Sequence, residues 1–261
     1  MIVVKFGGHA MRDENGSFGA AILRAQRAGE QVVVVHGGGP QIDAALNEQG
    51  IISEWIGGFR VTSEEIFAIV ERVLVEEVGP DVAMRLNQVG VKAQSISART
   101  LPTIIARPRI TLVDGTPVDL GFVGDIDSVD TTQILELLDR KIVPVIAPIS
   151  SDVDLLNGLN VNADFAAAAI AGALDASVLV VMTDVTGIYR NWPDASSLIS
   201  SISVSELESI KTIFAEGMAP KVQASLDAIA AGAKAVRIIN GTDPESFANA
   251  LAGHGGTLVS A

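Results

Sequence analysis

The sequence predicts an α/β fold, a three-layer αβα sandwich built around a mainly parallel central sheet. Apolar runs such as VVVV, VPVIA and VLVVM have no polar residue on either face, which is typical of parallel strands covered by helices on both sides. Longer helical patterns alternate with these runs, as right-handed βαβ units require. No linker separates two parts, so the 261 residues are expected to form a single domain.

The elements are predicted from apolar runs and from apolar residues at helical spacing. Strands are predicted at residues 2–6, 31–35, 91–96, 142–146, 178–182 and 236–239. Helices are predicted at residues 18–28, 41–49, 63–78, 81–89, 131–139, 165–171 and 219–231. Gly29, Gly50 and Gly232 stop three of these helices, and Pro40 suits the first position of another.

The middle of the chain, residues 100–129, has a different pattern. It contains Pro102, Pro108 and Pro117, and the apolar residues of TIIARPRITLV come in short alternating runs. This combination predicts an antiparallel hairpin rather than another βαβ unit.

Composition and charge exclude several classes of protein. The absence of cysteine excludes a disulfide scaffold, a thiol nucleophile and a thiolate metal site. No run of eighteen apolar residues occurs, and MIVVKF enters a strand without a signal-peptide pattern, so a soluble cytoplasmic protein is expected. The net charge of −13 argues against nucleic acid or an anionic membrane as partner.

Two glycine turns follow the first two predicted strands. Gly7 and Gly8 end the first strand, and HGGG at residues 36–39 ends the second. Ligands of parallel sheets bind at the carboxyl ends of the strands, and bare backbone N–H groups beside a helix start suit an anion. Two such turns at neighbouring strand ends predict a site for a phosphoryl group.

Other glycine motifs are absent or incomplete. The chain has neither the P-loop pattern nor the G-x-G-x-x-G dinucleotide pattern. HGGG also occurs at the oxyanion hole of some esterases, which makes a hydrolase the second class considered. That class needs a G-x-S-x-G elbow, which this sequence lacks.

Four charged residues stand where their charge needs a partner. Lys5 lies inside an apolar strand, where a lysine is unfavourable unless it meets an anion. Lys221 lies in the first turn of a helix, where the dipole opposes a cation. Asp164 precedes an alanine-rich helix and could either cap it or organise the two lysines by ion pairing. Asp184 follows a strand and could either form a turn or help to form a nucleotide pocket.

An ordered set of motifs along nearly the whole chain resembles the amino acid kinase family, and within it the kinases of N-acetylglutamate. The motifs are VVKFGGHAM, VVVVHGGGPQID, GGFRVT, DLGFVGDI, IVPVIAPI, LNVNADFAA, VVMTDVTGIY and EGMAPKV. The resemblance implies ATP-dependent phosphorylation of the side-chain carboxylate of N-acetyl-L-glutamate, in arginine biosynthesis. It implies that residues 1–150 bind the acceptor and residues 151–261 bind ATP with Mg²⁺.

The resemblance also implies roles for individual residues. Lys5 and Lys221 would stabilise the transferring phosphoryl group, and Asp164 would hold both lysines. The phosphoryl group would be contacted by the backbone of Gly7, Gly8, Gly38 and Gly39. The acceptor would be bound by Arg60 and Asn160, and the nucleotide by Thr183, Asp184 and Gly187. No side chain is assigned to a metal ion. A carboxylate acceptor is ionised at neutral pH, so no general base is needed.

One departure from the family pattern leaves alternatives open. Residues 95–103 read SISARTLPT where a glycine-rich segment near the acceptor is usual. The alternatives are another carboxylate acceptor, such as aminoadipate on an acidic carrier protein, and a non-catalytic module that senses nucleotide or amino acid. The net charge of −13 disfavours the acidic carrier.

The start of the chain bears on assembly. In this family, an additional amino-terminal helix links dimers into arginine-inhibited hexamers. The first strand here is predicted to begin at residue 2, so a homodimer with little sensitivity to arginine is expected.

Overall fold

The computed structural model describes residues 1–7, 16–100, 102–214 and 217–261. The strands within these ranges are β1 (Ile2–Phe6), β2 (Val32–His36), β3 (Trp55–Ile56), β4 (Phe59–Arg60), β5 (Ala93–Ser97), β6 (Ile104–Pro108), β7 (Gly124–Val129), β8 (Val143–Ala147), β9 (Ile149–Asp152), β10 (Gly158–Asn160), β11 (Val178–Thr183), β12 (Ser201–Ser203), β13 (Ala235–Asn240) and β14 (Thr257–Ser260). The helices are α1 (Ser17–Arg27), α2 (Gly39–Glu48), α3 (Glu64–Arg72), α4 (Gly79–Gln88), α5 (Thr132–Asp139), α6 (Ala163–Ala173), α7 (Val204–Ile210), α8 (Ala219–Ala230) and α9 (Ser246–Leu251).

The central sheet has eight strands in the order β12-β14-β13-β11-β1-β2-β8-β5. Its pairs are parallel except for the antiparallel pair of β13 with β14. Strands from the first part of the chain lie on one side of β1, and strands from the last part lie on the other. The carboxyl end of β1 is therefore a switch point of the topology, where sheets of this class bind ligands.

Side chains of β1 and β2 alternate between two apolar cores on opposite faces of the sheet. Ile2, Val4 and Phe6 pack in one core, whereas Val3 packs in the other. This alternation follows from the two-residue period of a strand. The helices cover both faces, so the predicted three-layer sandwich with a mainly parallel sheet is confirmed.

The predicted hairpin in the middle of the chain is also present. Strands β6 and β7 pair antiparallel, and β9 and β10 extend them into a separate four-stranded sheet. The antiparallel pair of β3 and β4 was not predicted. Strands of two residues are too short to show a period in the sequence.

The two helices predicted at residues 63–78 and 81–89 form one continuous helical segment. A π-helical turn, Val73–Val78, joins α3 to α4. Pro80 is the second residue of α4, and the wider turn before it relieves the clash that a proline ring makes inside a regular helix. The prediction of two separate helices was therefore wrong. None of the helices within the described ranges is long and apolar enough to cross a bilayer.

Candidate active site

A buried cluster of one carboxylate and two ammonium groups lies at the carboxyl end of β1. Lys5 Nζ is 3.1 Å from Asp164 Oδ1, and Lys221 Nζ donates a hydrogen bond of 2.9 Å to Asp164 Oδ2. Oδ1 has no hydrogen-bond partner within the described ranges, so its contact with Lys5 is an ion pair without hydrogen-bond alignment. The ion pairing considered from the sequence is therefore present, and the catalytic roles stay predictions.

The local structure explains why Asp164 is available to both lysines. Asn162 caps α6 by accepting a hydrogen bond of 2.8 Å from the Asp164 backbone N–H. The Asp164 side chain is therefore not the cap and lies in the first turn, where the helix dipole favours a carboxylate. Lys221 lies in the first turn of α8, where the dipole opposes it, and Asp164 compensates.

The pKa values in the cluster reflect burial and mutual attraction. Burial lowers the pKa of Lys5, and the Asp164 carboxylate opposes this shift only in part. Attraction to Asp164 raises the pKa of Lys221. Burial by itself would raise the pKa of Asp164, but the two lysines together outweigh it and hold that pKa well below its usual range. An anion bound beside Lys5 would favour its charged form.

The glycines of the two turns make room for their neighbours. A Cβ atom on Gly7 would lie 2.9 Å from Lys5 Nζ, because the lysine side chain folds across this residue. A Cβ atom on Gly38 would lie 2.5 Å from Leu74 Cδ2. Gly39 is the first residue of α2, and within the described ranges no atom lies within 4 Å of where its Cβ would be. Gly8 lies outside the described residues.

His36 makes a hydrogen bond to the backbone of the second glycine turn. Its ring is fully buried, and Nδ1 donates a hydrogen bond of 2.9 Å to the Gly37 carbonyl. Burial lowers the pKa of His36 to about 4, so the ring is neutral at neutral pH. The positive charge facing the turn therefore comes from the lysines.

The second glycine turn, the ionic cluster and a polar wall line a cleft of about 480 Å³, here called the glycine cleft, whereas Gly7 does not belong to its lining. Its lining includes seven of the residues assigned from the sequence: Lys5, Gly38, Gly39, Arg60, Asn160, Asp164 and Lys221. The fold thus brings residues from both halves of the chain around one space at the switch point of the sheet.

A second cavity, of about 550 Å³, lies on the other side of Lys221 and is here called the aromatic cavity. Tyr189, Trp192 and Phe214 line it together with Thr183. Tyr189 and Trp192 contact each other edge to face, with ring centroids 5.1 Å apart. Gly217 and Lys221 line both this cavity and the glycine cleft. A group held at Lys221 could therefore be reached from either side.

Arg60 and Asn160 form the polar wall of the glycine cleft. The Arg60 guanidinium is buried, and its Nη1 donates a hydrogen bond of 2.7 Å to Asp43 Oδ1. Its Nη2 is buried and has no hydrogen-bond partner among the described residues. Asn160 Nδ2 donates a hydrogen bond of 3.2 Å to Thr62 Oγ1. An unpaired donor in such a position suits an incoming carboxylate.

The three residues assigned to nucleotide binding lie in different positions. Thr183 lines the aromatic cavity. Asp184 is close enough to both lysines of the cluster that its charge partly counteracts the lowering of the Lys5 pKa and adds to the raising of the Lys221 pKa. A Cβ atom on Gly187 would clash with Thr257 Oγ1, so this glycine is needed for packing against β14. Its contact with a nucleotide stays a prediction.

The departing segment at residues 95–103 borders another space. Arg99, Thr100 and Pro102 line a separate cavity of about 410 Å³ together with Glu71 and Ser151. No described residue of the segment belongs to the lining of the glycine cleft. An influence of this segment on acceptor choice would therefore have to be indirect.

Several residues around the two cavities were missed in the sequence. Asp43 and Ser53 bind Arg60 from sequence distances of 17 and 7 residues, and Trp55 stacks on it. Such separations have no periodic signal. Tyr189 ends the motif TDVTGIY and Trp192 follows shortly after it, so the pattern YRNWP was the signal that could have identified Trp192.

Comparisons with known proteins agree with this geometry. A sequence model of the amino acid kinase family matches residues 1–240. An acetylglutamate kinase of Streptomyces griseus is 42% identical over 92% of this chain and 78% of its own length. One of Corynebacterium urealyticum is 41% identical over 100% of this chain and 86% of its own.

A solved structure supports the same relation at the level of the fold. The protein smu.665 of Streptococcus mutans superposes with a TM-score of 0.82 at 29% identity, over 99% of this chain and 98% of that one. The family model covers far more than half of the chain, and the relatives match it over nearly its whole length. The chain therefore belongs to the amino acid kinase family.

Proposed function

We propose that this chain transfers a phosphoryl group from ATP to the side-chain carboxylate of N-acetyl-L-glutamate, giving the acyl phosphate used in arginine biosynthesis. The observation that carries the proposal is the position of Lys221, which lines both the glycine cleft and the aromatic cavity. Two substrates in these spaces would meet at the ionic cluster. Relatives that are 41% and 42% identical are acetylglutamate kinases, which supports this acceptor.

In this proposal the acceptor occupies the glycine cleft. Arg60 Nη2 is a buried donor without a partner among the described residues, and Asn160 adds a polar side chain to the same wall. A carboxylate bound there would satisfy the guanidinium. The reacting carboxylate would then lie towards the lysines and the N–H groups of Gly38 and Gly39.

The transfer step needs charge stabilisation and little covalent chemistry. The acceptor oxygen attacks the γ-phosphorus of ATP, the bond between that phosphorus and the β,γ-bridging oxygen breaks, and ADP leaves. Lys5 and Lys221 stabilise the negative charge on the transferring group, and Asp164 holds both ammonium groups in place. The acceptor carboxylate is already ionised, so no proton has to be removed.

The nucleotide occupies the aromatic cavity, with its phosphates directed towards Lys221. Mg²⁺ fits this arrangement because it is usually held by one or two carboxylates together with substrate phosphates and water. Asp184 would supply the carboxylate, whereas Asp164 is engaged by the lysines. The described residues contain no group of three side chains that would hold a metal by itself. When bound, Mg²⁺ would neutralise phosphate charge.

The division of labour between residues 1–150 and 151–261 is part of the same proposal. The first part supplies the glycine turns and Arg60, and the second part supplies the aromatic cavity. Asn160, Asp164 and Lys221 of the second part also line the glycine cleft, so in this proposal both parts contribute to the acceptor space. The homodimer and the cytoplasmic location expected from the sequence stay predictions.

The experiment that tests the proposal is an acceptor panel. The protein is incubated with ATP, Mg²⁺ and N-acetylglutamate, glutamate or aspartate, and the acyl phosphate is trapped with hydroxylamine. We expect hydroxamate with N-acetylglutamate and little with the free amino acids. A positive result for free glutamate or aspartate together with a blank for N-acetylglutamate would refute the proposed acceptor.

Replacing Arg60 by lysine is expected to raise KM for the acceptor by about tenfold or more and to leave KM for ATP nearly unchanged. Lysine keeps the charge but loses the planar pair of donors that binds a carboxylate. Steady-state kinetics with each substrate varied in turn measures the effect. A selective rise in KM for ATP would show that Arg60 binds the nucleotide and not the acceptor.

A further inference from the structure

Arg60 is held by a small network on the side away from the glycine cleft. Its Nη1 donates hydrogen bonds to Asp43 Oδ1, at 2.7 Å, and to Ser53 Oγ. Ser53 Oγ in turn donates to Asp43 Oδ1 at 2.9 Å. Two side chains that do not line the cleft therefore bind one nitrogen of the guanidinium.

Trp55 fixes the plane of the same guanidinium. The Arg60 Cζ atom lies 4.5 Å from the centroid of the indole ring, at a distance typical of cation–π contacts. Trp55 and Arg60 are paired across the β3–β4 hairpin, which places the ring beside the arginine. The Arg60 side chain is only 3% exposed.

A guanidinium is rigid and planar, so fixing Nη1 and the plane also fixes the position of Nη2. Nη2 is the nitrogen left without a hydrogen-bond partner in the described part of the chain. Arg60 lines the glycine cleft, whereas Asp43 does not belong to its lining. The network thus occupies Nη1 and leaves Nη2 to donate to a ligand.

We propose that Asp43 is a positioning residue, which orients Arg60 for the acceptor carboxylate without touching the acceptor. This inference rests on the proposed function, because it concerns the carboxylate-binding side of that reaction. Asp43 lies on α2, the helix that begins at Gly39. The same helix therefore carries the end of the second glycine turn and the anchor of Arg60. It would fix the distance between the site for the reacting carboxylate and the site for the carboxylate that binds Arg60.

Two opposite effects of the Asp43 charge have to be compared. Asp43 could compete with the acceptor for the guanidinium, so that its removal would strengthen acceptor binding. Its side chain is 44% exposed, however, and solvent screens an exposed charge strongly. Removal of Asp43 takes away the charged anchor of the buried guanidinium and leaves its orientation to Ser53 and Trp55 alone. Positioning is therefore the larger effect, and removal of Asp43 weakens acceptor binding.

The test compares Asp43→Ala and Asp43→Asn with Glu48→Ala, an exposed acid on the same helix. Asp43→Ala should raise KM for the acceptor by about tenfold, the usual effect of losing a hydrogen bond to a charged group, with kcat and KM for ATP nearly unchanged. Asp43→Asn keeps an oxygen that can accept from Nη1 and should stay within about threefold of the wild type. Glu48→Ala should match the wild type.

A double-mutant cycle separates positioning from a general structural effect. If Asp43 acts through Arg60, Asp43→Ala should raise KM by no more than about twofold in an Arg60→Lys background. A full tenfold rise in that background, a lowered KM, or equality with Glu48→Ala would overturn the inference. If any of these three results is obtained while the wild type phosphorylates N-acetylglutamate, only the role of Asp43 is refuted and the proposed function is unaffected. A wild type that phosphorylates no carboxylate in the panel would overturn both.

Discussion

Replacing Lys221 by alanine is expected to lower kcat by about 10²-fold or more, with a much smaller change in KM for the acceptor. The Lys221 ammonium lines both cavities and binds Asp164 at 2.9 Å. Its charge therefore acts mainly where negative charge develops during transfer. Lys5→Ala should have an effect of the same kind, because Lys5 Nζ is 3.1 Å from the other oxygen of the same carboxylate.

Lys234→Ala provides the matched control for both lysines. The Lys234 side chain is 66% exposed and lies 3.5 Å from an exposed aspartate, so its loss should leave kcat unchanged. Circular dichroism must show that each variant is folded. A folded Lys221→Ala protein with kcat near the wild-type value would remove this lysine from the mechanism.

Replacing Asp164 by asparagine is expected to reduce both activity and stability. The change leaves two ammonium groups close together in a buried site without their anion, and loss of one partner of a buried ion pair typically costs about 3–5 kcal/mol. We expect kcat to fall by about 10²-fold or more, because the lysines lose their fixed positions. Denaturant unfolding and steady-state kinetics measure the two effects.

The contribution of Asp164 to stability should also depend on pH in a defined direction. Its pKa is lowered in the folded protein, so the stabilisation is fully present above the unfolded carboxyl pKa of about 3.9 and is lost as pH falls through the folded pKa. The difference in free energy of unfolding between wild type and Asp164→Asn should therefore begin to shrink below about pH 4 and be lost only as pH falls through the folded pKa of Asp164. Equal stability at neutral pH would show that the ion pairs contribute nothing net.

The central part of the fold could be predicted because its strands are buried on both faces. The strand at residues 2–6 was predicted with the bounds that β1 has, since IVVKF contains no polar residue except Lys5. That exception was itself the signal for the site. A lysine in an apolar strand needs an anion, and the structure places the Asp164 carboxylate beside it. The phosphoryl group expected at the two glycine turns stays a prediction.

The remaining parts of the site depend on contacts that have no local pattern. The hairpin of Trp55 and Arg60 is too short for a period, and its arginine was assigned only from the family motif. Asp43 on α2 binds Arg60 on β4 from 17 residues away in the sequence, and no periodic pattern records such a contact. The two helices predicted at residues 63–78 and 81–89 are continuous because a π-helical turn precedes Pro80.

The central claim is that acceptor and nucleotide bind in separate cavities that meet at Lys221. The chain has two tryptophans, and they divide between the cavities: Trp55 lines the glycine cleft and Trp192 lines the aromatic cavity. Trp192→Phe and Trp55→Phe each leave one tryptophan as a fluorescent reporter. The measurement is a titration of both variants with N-acetylglutamate and with a non-hydrolysable ATP analogue, each alone.

We expect N-acetylglutamate to change the emission of Trp55 in the Trp192→Phe variant and to leave Trp192 emission nearly unchanged. The ATP analogue should do the reverse, because an aromatic ring lining a cavity senses a base placed against it. Exchanged responses, or both ligands acting on the same tryptophan alone, would contradict the assignment of the two cavities.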